Sequence, residues 1–141
     1  GGTRYSTHLL KTVKSNDFSE VTYNYEPQVV SQIEIQDENL EAVKLGMLKL
    51  TTEGSVSSAF KDVPVQVGAK TGSAQVSAQT NSNAVFVCFA PYDDPQIAVA
   101  VVIENGYHGY WGAAVAKAIF DEYFFGKTND QLPTVADTLL P

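Results

Sequence analysis

The spacing of apolar residues changes along the chain and predicts alternating helices and strands. From residue 38 the apolar side chains recur every three or four positions, which is the period of one helix face. The acidic pair Asp37-Glu38 at the start and Gly54 at the end are typical of helix boundaries. The pattern therefore predicts a helix over 38–53. The residues that set the period are Leu40, Val43, Met47 and Leu50.

Three later segments have the apolar character of β-strands, and we predict them over 65–78, 85–90 and 97–104. The last two are apolar on both faces, which predicts central strands that are covered on both sides. Short loops join the three segments, so consecutive strands are expected to pair antiparallel.

Shorter elements are predicted on either side of this sheet. Residues 7–14 and 20–25 have strand character around a polar turn and predict a small hairpin. A second helix is predicted over 111–125, ended by Gly126. Residues 127–141 contain two prolines and little periodicity, so we expect an exposed C-terminal tail. Small residues on this helix and on the third strand (Ala113, Ala114, Ala116, Ala118, Ala98 and Ala100) predict that the helix lies close on the sheet.

Together these elements predict an α+β fold in which helices cover an antiparallel sheet. Three strands leave open sheet edges, and we expect sequence outside this chain to complete one of them. The chain starts without an initiator Met or a signal segment, and Gly1-Gly2-Thr3 has the character of an internal turn. We therefore expect it to be a piece of a longer protein.

Composition and charge exclude several classes of function. Nine basic residues against sixteen acidic ones give a net charge of -7, which predicts no nucleic-acid partner and no docking on anionic lipid. The longest apolar runs fall far short of the ~20 residues that a membrane span needs. One cysteine, Cys88, excludes an internal disulfide. The two histidines, His8 and His108, lie far apart without metal-ligand spacing, so no metal site is predicted.

The most informative string, Lys70-Thr71-Gly72-Ser73-Ala74-Gln75, lies on the first predicted strand. Glycine weakens a strand interior unless another group must approach the backbone closely. Alternation places Thr71, Ser73 and Gln75 on one side and Lys70 on the other. On an edge strand the hydroxyls and the ammonium can hold a carboxylate, and a backbone N–H can serve an oxyanion. The alternative is a solvated Lys-Thr-Gly on an ordinary strand.

The order of these strings resembles the C-terminal part of the transpeptidase domain of penicillin-binding proteins, above all the monofunctional class B enzymes. Lys70-Thr71-Gly72 is similar to the third motif of that family. The resemblance covers about residues 1–125 and implies the serine β-lactamase/penicillin-binding transpeptidase fold. Ala69 and Ser73 depart from the commoner Gly and Thr without removing a chemical group. Further similar strings are Gly1-Gly2-Thr3-Arg4-Tyr5, Leu45-Gly46-Met47, Phe89-Ala90-Pro91 and Ile97–Gly106.

The resemblance implies a role for each residue of the motif. Lys70 would supply positive potential to the carboxylate of a substrate or β-lactam, and would help to fix the hydroxyl of the second motif. Thr71 and Ser73 would donate hydrogen bonds to that carboxylate, and the Ser73 N–H would be half of the oxyanion hole. Gly72 would let the substrate backbone lie flat on the strand, and Gln75 would line the cleft. No metal or organic cofactor is implied.

The chain lacks the other motifs that the family's reaction needs. Acyl transfer requires an activated serine, and the one Ser-x-x-Lys string is Ser58-Ala59-Phe60-Lys61. The family places its nucleophile on a long helix well upstream, whereas Pro64 stops any helix here. We therefore interpret Ser58 as a loop serine. The nucleophile, its lysine and the absent Ser-x-Asn motif are expected on the upstream part of the same transpeptidase, as a separate chain or a missing segment.

The resemblance implies a serine D,D-transpeptidase that cross-links peptidoglycan stem peptides through an acyl-enzyme and binds β-lactams. The site would face outside the cytoplasmic membrane, anchored through an N-terminal part that this chain lacks. Two alternatives remain open. One is a β-lactamase or β-lactam sensor of the same fold, and the other is a non-catalytic module that binds a peptide along the strand edge.

Overall fold

The chain divides into two compact units, with the boundary between Glu41 and Ala42. The computed structural model describes residues 2–126, so the tail predicted over 127–141 lies outside the described residues. The predicted α+β class is confirmed, since helices and antiparallel sheets are both present.

The first unit consists of two small antiparallel ladders. Strand β1 (Thr3–Tyr5) pairs with β4 (Val29–Gln32), and β2 (Thr12–Lys14) pairs with β3 (Val21–Asn24). The second ladder confirms the predicted hairpin, although residues 7–11 lie outside its strands. Sequence periodicity did not reveal the first ladder because β1 is only three residues long.

The turn between β2 and β3 is organised around the carboxylate of Asp17. It accepts hydrogen bonds from the Ser15 hydroxyl at 2.6 Å, the Ser19 hydroxyl at 2.8 Å and the Ser19 N–H at 3.2 Å. These bonds, with that of Ser15 foremost, stabilise the charged form and lower the pKa of Asp17 to about 2.

The hairpin turn is therefore expected to depend on pH. Because the pKa of Asp17 falls on folding, the bonds to its carboxylate support the turn above about pH 4 and are lost as the pH falls through about 2. An NMR titration of the carboxyl carbon should show this low pKa. Ser15→Ala should raise it toward 3.8. An unshifted pKa in the unmodified chain would contradict the described turn.

Helix α1 (Asp37–Thr52) confirms the helix predicted over 38–53 to within one residue at each end. Its predicted apolar face is only partly covered within residues 2–126, since Val43 is 62% exposed. The buried residue of the helix is instead Thr51, whose hydroxyl donates a hydrogen bond of 2.6 Å to the Val67 carbonyl. This bond ties the end of α1 to the segment that leads into the motif strand.

The second unit contains a three-stranded antiparallel sheet in the order β5-β6-β7. Its strands are β5 (Gly68–Ala74), β6 (Asn83–Ala90) and β7 (Ile97–Ile103). The predicted antiparallel pairing is confirmed by an unbroken register on both sides of β6. The first strand is shorter than the predicted 65–78, because the alternating pattern ran on into the flanking loops.

The central position predicted for β7 stays a prediction about the complete sheet, since sequence outside this chain is expected to complete one sheet edge. Strand β7 forms an edge of the sheet within the described residues, and Val102 on it is 65% exposed. An apolar run alone does not distinguish a central strand from an edge strand whose outer face is open. Only β6 is central here.

Helix α3 (Gly112–Phe125) corresponds to the helix predicted over 111–125, and it covers one face of the sheet. It follows a short 3-10 helix, Gly109–Trp111, and ends at Gly126, whose φ of 53° is left-handed. The side chains that form the core between helix and sheet are Phe86, Cys88, Ala90, Val99, Ala113, Ala116 and Phe120.

Small helix residues bring α3 close to the sheet, but the small strand residues do not take part. Ala113 and Ala116 are almost fully buried. Ala98 and Ala100 lie opposite Phe89 and Val87, and are therefore on the other sheet face, where both are exposed. The prediction that they would lie beneath the helix was wrong. Burial beneath the helix also raises the pKa of the Cys88 thiol to about 12, which suits an inert core residue.

Candidate active-site strand

The motif string lies on an edge strand, because β5 pairs with β6 alone within residues 2–126. Thr71 lies opposite Phe86 and Ser73 opposite Ala84, so their side chains share the face on which Phe86 is buried. Lys70 lies opposite Val87 and points to the other face, as strand alternation predicts. Gln75 lies beyond the end of β5, and its amide donates a hydrogen bond to the Ser77 carbonyl at 3.3 Å.

The direction of the β5 backbone groups follows from the close approach of Gly109. A Cβ added there would lie 2.3 Å from Gly72 O, 2.7 Å from Gly72 N and 2.6 Å from Val85 O. These three atoms therefore cluster between β5 and β6. This is the arrangement of an antiparallel residue pair, here Gly72 and Val85, that exchanges both backbone hydrogen bonds. The neighbours Thr71 and Ser73 then direct their N–H and C=O groups to the open edge.

The Lys70 ammonium reaches around the strand to this same edge. It donates a hydrogen bond to the Thr71 carbonyl. The open edge thus combines a cation, the hydroxyls of Thr71 and Ser73, and the outward N–H of Ser73. Charged donors and backbone N–H groups of this kind bind carboxylates and oxyanions.

A polar pocket of about 320 Å³ lies against this part of β5. One wall is the turn between β7 and α3, which we call the aromatic turn (residues 107–111). The His108 ring stacks on Tyr110 with centroids 5.3 Å apart. The lining residues are Ser55, Thr71, Gly72, Ser73, His108, Gly109 and Tyr110.

Sequence reasoning missed this role of the aromatic turn. The available signal was Gly109, since a glycine among bulky aromatic residues indicates a close approach of backbone. Nothing in its spacing identified β5 as the neighbour.

The Ser-x-x-Lys string lies elsewhere in this unit. Ser58 is exposed on a one-turn helix, α2 (Ser57–Phe60), so its interpretation as a loop serine was wrong in detail. It lines a separate pocket of about 520 Å³ with Lys61, and neither residue lines the pocket beside Thr71 and Ser73. No described contact links Ser58 to the motif strand.

Two further features concern only the described part of the chain. Among residues 2–126, no three His, Cys, Asp or Glu side chains come together as a metal site would require. None of the helices in that range has both the length and the apolar character for crossing a bilayer.

Comparison with known proteins identifies the family. The model of the penicillin binding protein transpeptidase domain matches residues 1–124. Peptidoglycan D,D-transpeptidase MrdA of Escherichia coli is 32% identical over 109 residues, covering 66% of this chain and 17% of that protein. Penicillin-binding protein 2A of Bacillus subtilis is 25% identical over 142 residues, covering 88% of this chain and 20% of that protein.

A solved structure extends the likeness to the fold. Penicillin-binding protein PBP2 of Pseudomonas aeruginosa, in complex with WCK 5153, has 28% sequence identity and a TM-score of 0.60. The match covers 86% of this chain and 27% of that one. The chain spans about a fifth of the length of the curated relatives it matches. The predicted fold and family are thereby confirmed, and the chain belongs to the penicillin-binding protein transpeptidase family.

Proposed function

We propose that this chain supplies the substrate-binding strand of a class B penicillin-binding protein. The complete protein is a serine D,D-transpeptidase that cross-links peptidoglycan stem peptides through an acyl-enzyme and reacts with β-lactams. The observation that carries the proposal is the edge strand β5, which presents the Lys70 ammonium and the outward Ser73 N–H at its open edge and has the Thr71 and Ser73 hydroxyls beside a pocket. The name of the MrdA relatives, peptidoglycan D,D-transpeptidase, supports the same reaction.

The motif residues have two roles, which are to bind the ligand carboxylate and to stabilise the charge that develops during the reaction. The Lys70 ammonium and the hydroxyls of Thr71 and Ser73 hold the carboxylate of the stem peptide or of a β-lactam. When a serine attacks the carbonyl, negative charge develops on its oxygen. The Ser73 N–H donates to that oxygen, and removing a donor of this type raises the barrier by about 3 kcal/mol.

Gly72 leaves room for the ligand. A Cβ added there would meet only Val85, at 3.5 Å and beyond, which is an ordinary contact. The fold itself therefore does not need glycine at this position. The lack of a side chain fits a substrate backbone that lies against the strand. Gln75 lies just beyond β5 and would line the far end of the same cleft in the complete transpeptidase.

The remaining catalytic groups are assigned to the upstream part of the same transpeptidase. Ser58 and Lys61 line another pocket, so they do not supply the nucleophile to β5. Apolar side chains on the open sheet face, among them Val87 and Val102, are exposed within the described residues and suit coverage by further protein. The N-terminal part also carries the membrane anchor, and the site faces outside the cytoplasmic membrane.

The test is to locate the acylated serine in the complete transpeptidase. The protein is labelled with a fluorescent penicillin and digested, and the labelled peptide should come from sequence upstream of Gly1. The label on the undigested protein should be long-lived. Ser58→Ala should label as the unmodified protein does. A label on Ser58 would contradict the assignment of the nucleophile. Rapid loss of the label would instead indicate a β-lactamase, and no label at all a non-catalytic peptide-binding module.

A further inference from the structure

The aromatic turn rests directly on the backbone of the motif strand at Gly109. A side chain there would begin 2.3 Å from the Gly72 carbonyl oxygen and 2.7 Å from the Gly72 nitrogen. Real Cβ atoms do not approach backbone so closely, so any larger residue must displace β5 or the turn. The φ of Gly109 is not left-handed, and the space rather than the backbone conformation therefore demands glycine.

Hydrogen bonds also connect the beginning of the aromatic turn to the beginning of β6. The Tyr107 N–H donates to the Ser82 carbonyl at 2.9 Å, and the Asn105 N–H donates to the Asn83 side-chain oxygen at 3.0 Å. Both acceptors lie at the start of β6. The first residue of the turn, and Asn105 just before it, are thus tied to the beginning of the central strand.

We propose that Gly109 is a positioning residue for acyl transfer, an inference that rests on the proposed function. Its backbone sets the position of Gly72 in the sheet and hence that of the neighbouring Ser73 N–H and Thr71 hydroxyl. Gly109 acts through β5 on the reacting oxygen. A shift of β5 by a fraction of an ångström lengthens the hydrogen bond from Ser73 to that oxygen, and such bonds depend steeply on distance.

The test compares Gly109→Ala with Gly106→Ala in the complete transpeptidase. A Cβ at Gly106, just before the aromatic turn, would lie 2.9 Å from side-chain atoms of Ala84 on β6 and Ile103 on β7, so its nearest contacts do not include β5. Both variants should lower the melting temperature. Only Gly109→Ala should slow acylation at saturating β-lactam, by about tenfold or more. Equal acylation rates in the two variants would overturn the proposal.

An infrared spectrum of the acyl-enzyme separates positioning from a general loss of stability. A weaker hydrogen bond to the acyl carbonyl raises its stretching frequency, so Gly109→Ala should shift this band upward and Gly106→Ala should not. If Gly109→Ala does not fold, Asn83→Ala tests the same contact by loosening the turn, since it removes the bond to Asn105, one of the two hydrogen bonds described above. It should also raise the band, and an unchanged band would overturn the proposal.

Lys70→Ala, measured in parallel, distinguishes a failure of the proposed function from a failure of the role of Gly109. Normal acylation of Lys70→Ala would refute the proposed function itself. Slow acylation of Lys70→Ala, with Gly109→Ala behaving as Gly106→Ala does, would refute only the role of Gly109.

Discussion

Lys70→Ala in the complete transpeptidase should slow acylation by a β-lactam by about a hundredfold or more, the scale seen when a preorganised charge-stabilising donor is removed. The ammonium lies at the open edge of β5 and donates to the Thr71 carbonyl. Under the proposed function, its loss removes the positive charge that faces the ligand carboxylate. The second-order rate constant of acylation, followed with a chromogenic β-lactam, measures the effect.

Lys61→Ala is the matched control for this experiment. Lys61 is also exposed, but it follows helix α2 and lines the other pocket. Its replacement should leave the acylation rate unchanged. Because both lysines are exposed, neither change should lower the melting temperature much. An unaltered rate in Lys70→Ala would contradict the role of the motif strand.

Phe86→Ala should destabilise the complete protein by about 3–5 kcal/mol, which is the cost of deleting a fully buried aromatic ring. Phe86 lies in the central strand with 0% of its surface exposed, and its ring stacks on that of Phe60 in the core covered by helix α3. The ring fills the centre of the core, so its removal leaves a cavity that the sheet cannot close. Chemical denaturation monitored by circular dichroism measures the loss.

Phe18→Ala is the control, since it makes the same chemical change at an exposed site. Phe18 lies in the turn between β2 and β3 and is 76% exposed. Its replacement should change the free energy of unfolding by no more than about 0.5 kcal/mol. Similar losses in the two variants would contradict the core described around Phe86.

The helices were well predicted from sequence because their apolar spacing and boundaries are local properties. Helix α1 ends within one residue of the prediction on each side. The left-handed Gly126 ends α3 where a glycine was expected to. The position of a strand in the sheet is harder to predict, since β7 and β6 have similar apolar runs while, within residues 2–126, only β6 pairs on both sides. Which strand lies at an edge depends on distant pairing partners, and the local sequence does not encode it.

The candidate site could be predicted only as far as it depends on local sequence. The motif on β5 could be recognised from its own residues, and strand alternation correctly separated Lys70 from Thr71 and Ser73. The contact between Gly109 and Gly72 joins positions far apart in sequence, so periodicity gave no sign of it. For Gln75 the prediction assumed a longer strand than the fold forms.

The open edge of β5 also has a consequence for handling the protein. Unpaired backbone N–H and C=O groups on a sheet edge are a template on which a second chain can add a strand and start aggregation. A charged lysine at such an edge is a common defence against this. Lys70 therefore protects the ligand-free strand from pairing with a second chain. Lys70→Ala should precipitate more readily than the unmodified protein.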